Sequence, residues 1–281
     1  MATETTLTSA KAWSPDLSAV APEDAVPAAL ILQTSTVAGS VEGDAPSVRV
    51  MHVDDAAAGF VAEGVAIDEA NPDLAECVVH TGKISQLLRL SREQWLQPNA
   101  QELLADSVRR AVTKAANAAY LTQVAPTPPA TTPPAGLINV SGVEDIGAIA
   151  DDLDGLVDGL ATLAGNGANP SHILMSPTAW ASLRKFKAGS GLASTLLGVG
   201  ADDAAPRLLG LPVIVAPALG AGVGMVLDQS AIISAVGDVQ VSVSEHAYFA
   251  ADSVALRCTW RFGANAVHPD RIGKFTVTDP S

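Results

Sequence analysis

The sequence predicts an α+β fold, and three observations predict it. Asn99–Gln123 carries apolar residues at helical spacing, with no Gly or Pro inside. Residues 239–244 and 253–262 alternate apolar and polar side chains, as half-buried strands do. Between these segments, over about 137–235, helical patterns alternate with short apolar runs, which marks a compact α/β lobe. With 281 residues, 48% of them apolar, the chain buries a real core as one large domain or two of moderate size.

Residues 1 to about 28 are rich in Ala, Ser, Thr and Pro, and Pro15, Pro22 and Pro27 break any regular pattern. The segment reads either as a floppy tail or as an arm that becomes ordered on a neighbouring subunit. Trp13 and Leu17 give an arm something to bury, so the second reading is preferred. Ala28–Leu32 is a short apolar run. Ser47–Val53 reads as a strand, and Cys77–His80 with Ile84–Leu90 resumes the pattern. The acidic, Gly/Ala-rich stretch from Asp54 to Leu74 is then an excursion between two long antiparallel strands. A ribbon that long cannot bury both faces on its own domain, and an adjacent copy of the chain is the simplest cover.

Ser91 and Gln94 make a capping-box pattern ahead of Pro98, and Asn99 with Glu102 makes another at the start of the long helix. That helix is expected to run about 25 residues, roughly 37 Å. Leu104, Val108, Ala111, Val112, Ala115 and Ala119 would turn toward a flat partner, most simply a sheet. Pro126–Pro134 is an extended linker and domain boundary. Beyond it, Gly136–Val140 is expected as a short strand and Asp145–Leu163 as an amphipathic helix. His172–Met175 reads as a buried strand, and Pro177 opens a helix that continues through Phe186. Leu211–Val215, Val226–Asp228 and Ile232–Ile233 are strand-like.

The net charge of −14, with only 16 Lys and Arg and no basic run longer than a pair, argues against a nucleic-acid-binding surface. Cys77 and Cys258 read as ordinary buried thiols in a reducing cytosol. No apolar run approaches a membrane span and no secretion signal is visible, so a soluble, cytoplasmically made protein is expected. His52, His80, His172, His246 and His268 lack metal-ligand spacing. Asp151, Asp152 and Asp154 read as a solvated helix face. Gly220–Gly224 lacks the Lys-Ser/Thr ending of a phosphate loop, and Gly165–Gly167 reads as a helix end. Ser176 and Ser182 have no Gly-x-Ser-x-Gly setting. No catalytic residue, cofactor or metal is expected.

Several phrases taken together resemble the major capsid proteins of tailed double-stranded DNA bacteriophages with the HK97-like capsid fold. They are Phe60–Gly64, Lys83–Ser91 leading into the long helix, Gly136–Asn139, His172–Pro177, Leu208–Val213, and Val239–Ile272 with Phe249, Arg257, Arg261 and Pro269. Their order and spacing over about 45–275 carry the resemblance. It implies an N-terminal arm (1–45), an E-loop (46–84), a discontinuous P-domain with a spine helix and sheet (85–135 and 236–281), and an A-domain (136–235). It also implies a structural protein that assembles as hexamers and pentamers into an icosahedral head in the host cytoplasm and ends in the virion. Trp13, Leu17, Arg49, Phe60, Glu63, Gly64, Ile67, Asp68 and Glu69 are then expected at subunit interfaces.

Some members of that family close their shells with a lysine–asparagine isopeptide bond assisted by a glutamate. The matching positions here are Ile67, Asp252 and Thr259, and no lysine lies between Lys11 and Lys83, so a shell without covalent cross-links is expected. Met1 stands only some 45 residues before the E-loop, so a separate scaffolding protein is expected beside a portal, with a decoration protein left open. Packaged double-stranded DNA would be contacted non-specifically, and an acidic wall would keep that contact weak. An encapsulin-type compartment shell is the alternative within the fold, and a small-molecule enzyme with an α/β lobe is the alternative outside it.

Overall fold

A computed structural model describes residues 17–43, 45–54, 60, 73–97, 100–187 and 206–279. The chain opens with β1 (Leu17–Val20), α1 (Pro22–Ala25), α2 (Leu30–Thr34), β2 (Thr36–Ser40), β3 (Ser47–Asp54), β4 (Asp73–His80) and β5 (Gly82–Ser91). Then come α3 (Arg92–Trp95), α4 (Ala100–Thr122), β6 (Glu144–Ile149), α5 (Asp154–Gly165), β7 (His172–Met175) and α6 (Pro177–Lys185). The remainder is β8 (Arg207–Leu208), β9 (Leu211–Val215), β10 (Val223–Leu227), β11 (Ile232–Val236), β12 (Val239–Tyr248), β13 (Ser253–Ala266) and β14 (Gly273–Val277). One sheet has the order β1-β12-β13-β11-β2, with β5 also paired to β13. A second has the order β6-β14-β10-β7-β9-β8, and β3 and β4 form a separate ribbon.

The long helix lies on the first sheet, as its period requires. Val108, Val112, Ala116, Tyr120 and Leu121 share one core with Leu256, Cys258, Trp260 and Phe262 from alternate positions of β13. The buried stripe steps by four residues, which places Ala116 inward and leaves Ala115 exposed, against expectation. Asn99 and Glu102 lie outside the residues whose side chains are described. The Ser91 capping box forms: its Oγ accepts from the Gln94 amide at 3.3 Å, and its own amide donates to Gln94 Oε1 at 3.4 Å. At the far end of α4 the chain turns out through the proline-rich segment and returns. The Gly136 amide donates to the Gln123 carbonyl, and Asn139 Nδ2 donates to the Thr122 and Gln123 carbonyls, satisfying the last turn.

Two differences concern the N-terminal third. β1 pairs antiparallel with β12 of its own chain, and β2 pairs parallel with β11. Between them Val26, Ala29, Leu30 and Ile31 are buried in the first core. The anchor is polar as well as apolar: the Leu30 amide donates to Asn117 Oδ1 on α4 at 2.8 Å, and Thr34 Oγ1 and Tyr120 Oη are 3.0 Å apart. The polypeptide from Leu17 to Ser40 is thus a structural part of the body, not a loose tail.

Further differences lie in the second sheet. Leu137–Asn139 is a 3-10 turn rather than a strand. Asp145–Leu163 is not one helix. Glu144–Ile149 is a strand paired parallel with β14, and only Asp154–Gly165 is helical. Gly147 at φ +92° and Asp151 at φ +64° hold backbone shapes that no helix continues through. β14 follows the first-sheet strands in sequence yet pairs here, while β11 crosses into the first sheet. The Phe275 ring lies over Gly224, where any side chain would collide with it. The expected start of α6 agrees with the structure: Ser176 Oγ accepts the Ala179 amide at 3.2 Å, and Pro177 occupies the first turn of the helix, which ends at Lys185.

The ribbon runs in register from Ser47 opposite His80 to Asp54 opposite Asp73. Its base is fastened firmly. Val41, Cys77, Val79, Ile233 and Ala235 form a small core. Asn265 Nδ2 donates to the Val78 carbonyl at 3.2 Å, and Thr81 Oγ1 receives Arg261 Nη1 at 3.0 Å. Gly263 passes so close to the His80 carbonyl oxygen that a Cβ would not fit.

Candidate assembly surface

Of the residues expected at subunit interfaces, Trp13, Glu63, Gly64, Ile67, Asp68 and Glu69 lie outside the described residues. Leu17 starts β1 with its backbone opposite Ser242. Arg49 stands on the ribbon with Nη1 3.4 Å from Glu76 Oε2, both side chains largely exposed. Phe60 is fully exposed, and Met51 on the ribbon is 77% exposed. The structure therefore places Arg49 on the ribbon and Phe60 in the open.

The strand period builds a different surface. On β13 the even positions Leu256, Cys258, Trp260 and Phe262 face α4, so Ala255, Arg257, Thr259 and Arg261 form the opposite face of the sheet. On β5, Ile84 and Leu88 pack toward the helix side, while Lys83, Ser85, Leu87 and Arg89 are exposed. The register sets Arg261 opposite Lys83, Arg257 opposite Leu87 and Ala255 opposite Arg89. Four cations of an acidic chain thus share one sheet face. Arg257 Nη2 donates to Ser242 Oγ at 3.3 Å, and the Arg89 guanidinium lies 4.8 Å from the Tyr248 ring centroid. Leu87 stands between them, 57% exposed.

At the corner of this face Arg92 Nε donates to Asp252 Oδ1 at 2.8 Å and Nη1 to Glu245 Oε2 at 3.3 Å. The hydrogen bonds to Asp252 and then Glu245 raise the Arg92 pKa above its ordinary value. Asp252 sits in a left-handed backbone conformation at φ +42° and is engaged by that arginine, while Thr259 is buried in β13. Sequence reasoning noted the alternation of β13 but assigned no role to Arg89 and Arg257. Their shared parity was the available signal.

Elsewhere the chemistry is structural. Cys77 and Cys258 are free and buried, and burial pushes both thiols up from their ordinary pKa. Gly220–Gly222 leads by a turn into β10, to which Val223 and Gly224 already belong. Among the described residues no group of His, Cys, Asp and Glu is arranged to hold a metal ion, and no helix is long and apolar enough to cross a membrane. Grooves flank α4, one of about 420 Å³ lined by Pro27, Ala28, Pro217 and Ala218 beside Arg109, Arg110 and Lys114.

A broad sheet, a helix laid on it, a separate two-stranded ribbon and a second sheet make up a mixed α+β fold. The chain belongs to the phage capsid family, whose model matches residues 27–277. It is a structural protein of the bacteriophage capsid, of the major capsid type. Solved structures with the same fold include a chain of Microbacterium phage Oxtober96, with TM-score 0.68 and 16% identity over 99% of this chain and 96% of that one. A chain of Gordonia phage Cozz has TM-score 0.64 and 16% identity over 89% and 86%. The structure described as "Capsid of empty GTA particle computed with C5 symmetry" has TM-score 0.66 and 16% identity over 99% and 95%. No curated protein matches the chain.

Proposed function

We propose that this chain assembles as hexamers and pentamers into a closed icosahedral head that encloses double-stranded DNA, held together without covalent cross-links. On this reading residues 46–84 act as the E-loop over a neighbouring copy, and the first 45 residues include the arm. Residues 85–135 with 236–281 form the P-domain, and 136–235 form the A-domain. A scaffolding protein and a portal take part during assembly in the host cytoplasm.

The observation that carries the proposal is the β3–β4 ribbon. It pairs with neither six-stranded sheet, and Met51 on it is 77% exposed. An isolated two-stranded ribbon is marginal in water, so a covering surface from outside the chain accounts for its length. The family match favours a capsid over an encapsulin-type compartment.

Two measurements test the reading. Electron microscopy of particles in which the chain is found should show closed shells with fivefold and sixfold capsomers, and a chain recovered only as monomer from such particles' source would refute it. Shells boiled in detergent should run as single chains of 28.5 kDa, whereas a ladder of multiples would refute the absence of cross-links.

A further inference from the structure

We infer that the groove beside α4 receives helix α5 from a second copy of the chain, with Val157 seated in the groove and Asp154 and Asp158 set against Arg110 and Lys114. This contact presupposes the assembly proposed above and supplies a way for copies to close into rings.

The receiving side is a groove of about 420 Å³. Pro27, Ala28, Ala118, Pro217 and Ala218 line it, so its walls are apolar and small enough for another helix to come close. Arg110 and Lys114 stand exposed at its rim, one helical turn apart. Among the described residues neither has an ion-pair partner. Arg109 beside them is shared with Asp106 of its own helix at 3.6 Å.

The entering side is convex and of opposite charge. Leu156, Gly159 and Leu163 of α5 are buried, so Asp154, Val157, Asp158 and Ala161 face outward. Val157 is 47% exposed. Asp154 and Asp158 flank it, and Asp151 and Asp152 continue the acidic surface past the start of the helix. None of these four carboxylates has an ion-pair partner among the described residues, and no Lys or Arg occurs between Lys114 and Arg184.

Charge and spacing agree. Residues four apart on a helix lie about 6 Å from each other on one face. Arg110 with Lys114 and Asp154 with Asp158 share that spacing, so two helices laid side by side satisfy both pairs at one register. The apolar walls decide between occupants. A nucleic-acid backbone would answer the cations and leave the prolines and alanines uncovered, whereas Val157 covers them. Within one chain the two faces are apart. No α5 residue lines the groove; α4 packs on α2, β5 and β13, and α5 on β6 and the turn Pro269–Arg271. A contact between two different faces of one chain runs head to tail, and such contacts close into rings where the rotation allows.

The test uses a source that yields particles with the wild-type chain. It compares R110E/K114E, D154K/D158K and the combined variant by sedimentation and electron microscopy. Each reversal alone should lower particle yield about tenfold or more, and the combination should restore it, because opposite charges then meet again. Restoration also shows that the separate reversals fold. Producing the two reversals together separates a contact between copies from one within a chain. Alternating chains set opposite charges at every contact of a sixfold ring, but an odd ring keeps one repulsive contact. Sixfold capsomers should therefore return while fivefold ones stay scarce. Recovery by the combined variant without any by the mixture would place the contact inside one chain and overturn the docking. If the reversals assemble like wild type, or the combination is no better than its parents, the docking is overturned while the assembly reading stands. If R110E/K114E assembles normally but its particles retain less DNA, the groove serves nucleic acid and the docking is again overturned. Wild-type particles that hold the chain outside fivefold and sixfold rings would overturn the assembly reading itself.

Discussion

Trp260 holds the first sheet to the long helix through both of its chemistries. Its ring is almost wholly buried, 4.5 Å between centroids from Phe262, and its Nε1 donates to the Gly237 carbonyl at 2.8 Å. Trp260→Ala should cost about 3–5 kcal/mol in denaturant unfolding, from lost burial and the cavity left behind. Gly263→Ala should also destabilise, by pushing the ribbon base off the His80 carbonyl, and proteolysis near residues 78–82 should accelerate. His172 is a pH probe. Burial lowers its pKa below 6.5, so the unfolded chain binds the proton first. Its contribution is complete above that value and is lost as pH falls through the folded pKa. His172→Asn should flatten the acid limb of the thermal stability profile. At this scale the sequence was readable where a rule is local, as with Ser91, Ser176 and Pro177. Arg89 and Arg257 were not readable as a pair, because they meet only once β5 is set beside β13.

Among the elements, α4 was legible because its period is uninterrupted for more than six turns, a signal that no tertiary contact needs to create. The strands of β12 and β13 were legible for the same reason at period two. Asp145–Leu163 misled because Ile146 and Ile149 are three residues apart, a helical spacing, across a glycine at positive φ. Strand pairing with β14 decided the outcome. The short elements at 22–34 were hidden among prolines, and they exist through contacts with Asn117 and Tyr120 some 85 residues away. The caps are the testable part. Ser91→Ala removes the acceptor at the start of α3 and should cost about 1 kcal/mol, read as a lower melting temperature.

For the whole molecule, the sequence predicts a long two-stranded ribbon, and β3 and β4 form one. It did not show that β11 and β14 trade places between the two sheets, since strand period does not name a partner. β5 and β13 face each other over ten residues, from Gly82 against Phe262 to Ser91 against Ser253. The ribbon is strung to one end of that overlap and the long helix to the other. A tug on the ribbon therefore runs parallel to the strands and asks every rung of the ladder to slip at once, instead of peeling them one after another. The joint is stiff along the strands and weak only across them.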